Sequence, residues 1–292
     1  MLKDHFDGVS GNWPSFVVIG LWVICGFVVY LLAGNLVSLL LLGLHGVSMQ
    51  DLVINQQQII ANYGSEFLGG NAIGLALGLG GVAILASWLD SSRPLKYLRI
   101  TKCTPIDLGL SCLGYFGLVP IVLGAGILNE QVPLPEILQQ MEEQQMVIVE
   151  WLTSGGGNFG LNLLLVAVTP AVFEEVFFRG FLQRRAERAM GIVGGILFTG
   201  ILFGLFHLRL TQVIPLAVLG CYFAYLTWST GSLLIPIILH FLNNGMMLAI
   251  SKWGDQSIAD PEVIPWLFVF TGGIVFIICI IFIHRNHEQR QH

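Results

Sequence analysis

The stretch FEEVFFRGFL, residues 173–182, decides how the chain is read. Glu174 and Glu175 are adjacent and Arg179 follows, yet the twenty residues at 154–173 carry no charge at all. Ionisable groups inside an apolar helix are costly, so a pair of carboxylates there needs a reason. The surroundings are uniformly greasy. Of 292 residues, 55% are hydrophobic and 11% charged, and the mean hydropathy is +0.78. A soluble domain carries about 25% charged residues. The expected fold class is therefore all-α, a polytopic membrane protein in which each helix satisfies its own backbone.

A crossing takes about 20 apolar residues. Eight runs qualify: 16–44, 66–88, 107–128, 159–180, 191–208, 212–229, 232–250 and 263–284. SGGGN (154–158) marks the start of the fourth span, MGIVGG (190–195) the turn into the fifth, and STGS (229–232) the turn between the sixth and seventh. Lysine and arginine set the orientation. Arg93, Lys96, Arg99 and Lys102 lie in one loop, Arg184, Arg185 and Arg188 end the fourth span, and Arg285 and Arg290 lie in the tail. Eight spans put all of these on one side together with Lys3. The opposite loops hold only Arg209 and Lys252, but carry Asp51, Glu66, Glu130, Glu136, Glu142, Glu143, Glu150, Asp255, Asp260 and Glu262. Both termini are expected in the cytoplasm. The N-terminus has mixed charges and no small-residue cleavage site, so the first run reads as a retained span.

Three regions follow: a three-span segment at 1–158, a four-span core at 159–250, and a last span with its tail at 251–292. Segment 129–152 is too polar to cross. Leu134, Ile137, Leu138, Met141, Gln145 and Ile148 form a helical stripe there, which fits either a helix lying on the outer interface or a plain loop helix. Glycines four apart, at 74 and 78, 191 and 195, and 200 and 204, allow helices to approach closely. The net charge of −5 and the lack of a basic cluster with interleaved aromatics give no case for nucleic acid. The five cysteines are scattered without a CxxC pair, which fits small core residues.

Polar groups within the apolar runs are the functional candidates. Span four has Glu174, Glu175 and Arg179, span five ends in His207, and span seven has His240, Asn243 and Asn244. Glu175 and Arg179 are four apart and share a helix face, so they can pair. Glu174 points about 100° away, toward apolar neighbours, and is the carboxylate without a partner on its own helix. Such a group suits general acid or base chemistry. A turn at Met190–Gly191 leaves Glu174 sixteen residues before it and His207 sixteen after it. Both are then about 24 Å from the turn, so the two can meet across a hairpin. His240 and Asn244, four apart, offer two donors on one face, as an oxyanion requires. The bland alternatives are a structural Glu–Arg pair and core His and Asn residues bonded between helices.

The motifs EEVFFR (174–179), FGLFH (203–207) and HFLNN (240–244) together resemble the EExxxR, FxxxH and HxxxN signatures of the CAAX prenyl endopeptidase and bacteriocin-processing (CPBP, or Abi) family of intramembrane proteases. The resemblance covers about residues 159–250. It implies hydrolysis of a peptide bond inside the membrane, on a peptide or membrane-protein substrate. In the roles it implies, Glu174 activates a water, His207 helps position it, His240 and Asn244 hold the oxyanion, and Glu175 with Arg179 forms a supporting pair. No cofactor is expected. Zinc held by Glu174, His207 and His240 is the weaker alternative, because HExxH is absent and Asn suits an oxyanion better than a metal. Short loops and the lack of a eukaryotic targeting signal point to a bacterial plasma membrane, where CAAX tails are not the expected substrate. The competing readings are a non-proteolytic membrane regulator of bacteriocin-immunity type and a proton-relaying transporter. A transporter lacks support from any internal repeat.

Overall fold

A computed structural model of the protein describes residues 15–254 and 264–291. Lys3, Asp255, Asp260 and Glu262, used above for orientation, lie outside the described residues. Among the described residues, seven helices are long and apolar enough to cross a membrane. In chain order the helices are α1 (Ser15–Leu44), α2 (Gln57–Asp90), α3 (Pro105–Glu130), the more polar α4 (Glu136–Thr153), α5 (Phe159–Phe206), α6 (Val213–Thr230), α7 (Leu234–Trp253) and α8 (Trp266–Gln291). The protein is an all-α, multi-pass membrane protein.

The count of seven and the expected eight crossings differ only at α5. Its 48 residues would reach about 72 Å in one straight helix, far beyond a hydrocarbon core of about 30 Å. It is interrupted at Gly191, whose φ of 79° and ψ of 172° suit glycine alone. Beyond this residue the chain folds back. A Cβ on Gly195 would lie 2.7 Å from the backbone nitrogen of Glu187, whereas eight residues along a straight helix separate two positions by about 12 Å. α5 is thus two spans, 159–190 and 192–206, joined at the turn expected from the sequence.

One boundary differs. Glu66 was expected in a loop before the second span, but α2 begins at Gln57 and Glu66 lies within it, ion-paired with His45 at 3.0 Å. The polar run QQQIIANYGSEF consists mostly of residues compatible with a helix, so the helix continues beyond its apolar part, bending at Tyr63 (φ −131°, ψ 30°). The segment placed at 129–152 does form a helix, α4. Trp151 anchors it by donating its indole N–H to the Ala61 carbonyl (3.1 Å) over Gly64, where a Cβ would come within 2.5 Å of the ring.

The chain divides into two compact units. The first takes the described residues of Met1–Ser92, Gln139–Phe177 and His240–Ala259; the second takes those of Arg93–Leu138, Phe178–Leu239 and Asp260–His292. In the first unit α1 lies directly on α2. A Cβ on Gly74 would sit 2.7 Å from the Tyr30 carbonyl oxygen, and one on Gly78 would sit 2.3 Å from the Tyr30 nitrogen. Lipid supplies no hydrophobic drive between helices, so this close backbone approach is what holds them together.

In the second unit the half-helix 192–206 runs antiparallel to α6, with Gly200 against Cys221 and Gly204 against Val213. The second unit also gathers its charged segments at one end. Thr101 donates to the Gly231 carbonyl (2.8 Å), and Ser232 donates to the Thr101 carbonyl (2.7 Å). Arg290 pairs with the buried Asp107 and donates to the Ser229 carbonyl (3.1 Å). Arg99 pairs with Glu187. The 93–102 loop, the end of the 159–190 helix and the last turn of α8 therefore share a side, as the lysine and arginine pattern requires.

Three substitutions test this packing. Gly78→Leu should cost about 1–3 kcal/mol through overpacking, whereas Gly20→Leu, where a Cβ meets nothing within 4 Å, should be neutral. Gly191→Ala should cost about 1–3 kcal/mol through backbone strain alone. Unfolding midpoints of the purified variants in one detergent would check all three.

Candidate active site

The turn that carries the two glutamates is shaped by its neighbours in sequence. Thr169–Glu175 is a short stretch of ordinary α-helix between two wider turns with i→i+5 bonding, Leu163–Val168 and Val176–Leu182. Such widened turns collect at functional sites because they re-aim side chains. Pro170 opens the ordinary stretch and has no N–H for the carbonyl of Val166 four residues before it. The Asn244 amide of α7 donates to that carbonyl at 3.0 Å, and Asn243 donates to Oδ1 of Asn244 at 3.0 Å. Proline on one helix and asparagine on the other thus fix the distance between the 159–177 segment and the His240–Trp253 part of α7. One N–H of the Asn244 amide is left over for another acceptor.

The same junction seats His240. Its Nδ1 lies 2.8 Å from Oε1 of Glu175, and the two residues are 4% and 0% exposed. A carboxylate oxygen only accepts, so Nδ1–H donates when Glu175 is ionised, and Nε2 is left for other work. The sequence reading had given Glu175 a partner on its own helix and His240 a place beside Asn244. The contact between Glu175 and His240 is an addition that helical spacing does not contain.

Glu174, also buried, presents a different environment. Among the described residues its Oε2 has no hydrogen-bond partner. Its helix packs on the first two spans. A Cβ on Gly26 of α1 would touch the Phe177 ring at 2.9 Å, and a Cβ on Gly80 of α2 would touch Phe173 at 2.4 Å. Between those contacts stands Tyr30 of α1, which interacts electrostatically with Glu174 and donates its hydroxyl to Oδ1 of Asn71 on α2 at 2.7 Å. Tyr30 and Asn71 were missed by the sequence reading. Both are polar groups inside apolar runs, so the rule that singled out His207 and His240 could have found them, but no motif drew attention to them.

Arg179 and His207 belong to the second unit. Arg179 is fully buried there: Nη2 donates to the Gly220 carbonyl (3.1 Å), and its guanidinium carbon lies 4.3 Å from the Phe203 ring centre and 5.5 Å from that of Phe223. One turn later Gln183 donates to the Ala224 carbonyl at 2.9 Å, so this stretch and α6 run side by side in register. His207 ends the 192–206 helix, with Nδ1 2.8 Å from the Phe203 carbonyl and its ring 4.8 Å from the Phe203 ring. A carbonyl cannot donate, so Nδ1 carries the proton and the neutral ring keeps a lone pair on Nε2. The first unit therefore brings together Glu174, Glu175, His240 and Asn244, while the second fixes Arg179 and His207 by their own partners. Among the described residues, no three side chains from His, Cys, Asp and Glu form a group able to hold a metal ion.

Residues 156–246 match the family model described as type II CAAX prenyl endopeptidase Rce1-like. This stretch holds all three motifs. No curated protein and no solved structure is significantly similar to the chain.

The buried contact can be tested by stability. Glu175→Leu strands Nδ1 of His240 and should cost about 1–3 kcal/mol. Glu175→Gln keeps an oxygen in place and should cost less. Thermal unfolding of both in the same detergent would check the ranking.

Proposed function

We propose that the protein is an intramembrane endopeptidase that hydrolyses a peptide bond with a water activated by Glu174. The observation that carries this is the grouping of the buried Glu174, Glu175 and His240 with Asn244, one turn on from His240, within the stretch that matches the family model.

In the proposed mechanism Glu174 takes a proton from water, and the resulting hydroxide attacks the scissile carbonyl carbon. The carbonyl oxygen becomes an oxyanion held by Nε2–H of His240 and the unused N–H of Asn244. For His240 to donate from Nε2 while Nδ1–H serves Glu175, the ring must be an imidazolium, and the Glu175 carboxylate offsets its charge. Glu174 then gives its proton to the leaving amine, which breaks the C–N bond and leaves a carboxylic acid and an amine. In the role that its motif implies, His207 accepts a hydrogen bond from the water through Nε2. Arg179, four residues from Glu175, completes the supporting pair. Tyr30 adds a phenol beside Glu174, oriented by Asn71.

The substrate is a peptide or a segment of a membrane protein. The reaction needs no metal in this reading, because Asn244 is a better donor to an oxyanion than a ligand to zinc. A bacterial plasma membrane with both termini cytoplasmic is the setting it proposes.

The test is cleavage of a library of membrane-anchored peptides by the purified protein in detergent. Glu174→Gln should lower the rate by about 10²–10⁴ or more, with activity retained in a strong chelator. Loss in chelator with rescue by zinc would reinstate Glu174, His207 and His240 as ligands. Tyr30→Phe removes the hydroxyl that donates to Asn71 and should lower the turnover number about two- to tenfold, the size of one neutral hydrogen bond, with little change in KM. No cleavage by wild type of any peptide would favour a non-proteolytic regulator, for which the Asn244–Val166 bond would be simple packing.

A further inference from the structure

Within the second unit, two arginines stack on one tyrosine, and two more cations lie in the same loop as that tyrosine. Tyr97 ends the short helix Pro94–Tyr97 and is buried. Arg184 donates to its carbonyl at 2.7 Å and stacks its guanidinium 5.1 Å from the ring centre. Arg188, one turn on, stacks at 5.4 Å. Lys96 is the preceding residue, and its carbonyl also receives Arg184 at 3.3 Å. Arg99 completes the group and is close enough to Arg184 to repel it, as Arg188 does.

This crowding is built rather than incidental. Arg99 occupies the left-handed position that ends the Pro94–Tyr97 helix, with φ of 57°, closed by bonds from Ile100 to Leu95 and from Arg99 to Lys96. Glycine is the usual residue there. An arginine is held in that conformation while its guanidinium makes a two-pronged pair with Glu187. Glu187 also accepts from Gln183 at 2.7 Å, so the only carboxylate in the cluster is already engaged. Four cations and one carboxylate leave three positive charges. Among the described residues, neither the Arg188 guanidinium nor the Lys96 ammonium has an ion-pair or hydrogen-bond partner, and both side chains are exposed. Like charges four apart on a helix destabilise it unless an anion stands between them.

The rim of the cluster states which anion fits. Leu95, Ile100, Met190, Ile192 and Val193 are all exposed beside it, and the apolar span ends at Leu182 just before the first arginine. Cations at the end of a membrane helix, bordered by exposed apolar side chains, match an amphiphile: phosphate on the guanidiniums and acyl chains on the rim.

We propose that Arg184 and Arg188, stacked on Tyr97, form with the neighbouring Lys96 a binding seat for the phosphate headgroup of an anionic glycerophospholipid. The seat is independent of peptide hydrolysis and stands whether or not the protein cleaves peptides.

The experiment is native mass spectrometry of the full-length protein in detergent, titrated separately with phosphatidylglycerol and phosphatidylcholine. Wild type should hold more phosphatidylglycerol adduct than phosphatidylcholine, by about fivefold per contributing cation. Lys96→Gln with Arg188→Gln should erase that preference while shifting the unfolding midpoint in lipid-free detergent only slightly, since the exposed Arg188 gives up only its stacking on Tyr97. Lys102→Gln with Arg285→Gln, which removes two exposed cations outside the cluster, should keep the preference. The proposal is overturned if wild type shows no preference, if the first double variant retains it, or if the control pair loses it. It is also overturned if millimolar inorganic phosphate displaces the lipid, which would make the cluster a free-anion site.

Discussion

Pro170 brings no N–H to the Val166 carbonyl, and the Asn244 amide of α7 donates to it instead. Inside a bilayer an unsatisfied carbonyl is too costly to leave open, so this one contact holds two helices at a fixed separation. The contact between Glu175 and His240 follows from it. With α7 docked there, His240, one turn before Asn244, comes to lie against Glu175 at 2.8 Å. Without that docking a buried carboxylate and a buried imidazole would face lipid or each other's absence, and neither is tolerable. The residues that look catalytic are thus also the residues that make the helices meet. That dual role is the reason a packing reading and a chemical reading of HFLNN have to be separated by kinetics rather than by geometry.

The two glutamates differ by environment rather than by type. Glu175 is engaged by a histidine, whereas Glu174 has a buried oxygen without a hydrogen bond and a phenol nearby. The first two spans produce that second environment. They are brought together by glycines at 74 and 78, which let α2 reach the backbone of Tyr30. They lie outside residues 156–246, the stretch that matches the peptidase family.

Much of the architecture was legible before any coordinates. Apolar runs of span length, glycine turns at Gly191 and Gly231, and the clustering of lysine and arginine in alternate loops follow from local chemistry, and the helices appear where that chemistry puts them. The start of α2 was misplaced because hydropathy reports where lipid begins, while helix formation continues into the polar run that carries Glu66. The candidate residues Glu174, Glu175, Arg179, His207, His240 and Asn244 were legible because charge and imidazole are conspicuous in an apolar background. Tyr30 and Asn71 were not, because tyrosine and asparagine are ordinary at such positions until a neighbour gives them a task.

By itself the sequence determined the membrane class, the number of crossings, the shared side of the basic segments and the identity of the ionisable groups. Each of these depends on composition and on contacts a few residues apart. Tertiary structure alone decided the partners: His240 for Glu175, the Val166 carbonyl for Asn244, the Gly220 carbonyl and the Phe203 ring for Arg179, and Tyr97 for Arg184 and Arg188. Those pairings join positions between 24 and 91 residues apart. Helical periodicity says which face a side chain occupies but not which helix that face meets, and only close packing of the spans supplies that choice.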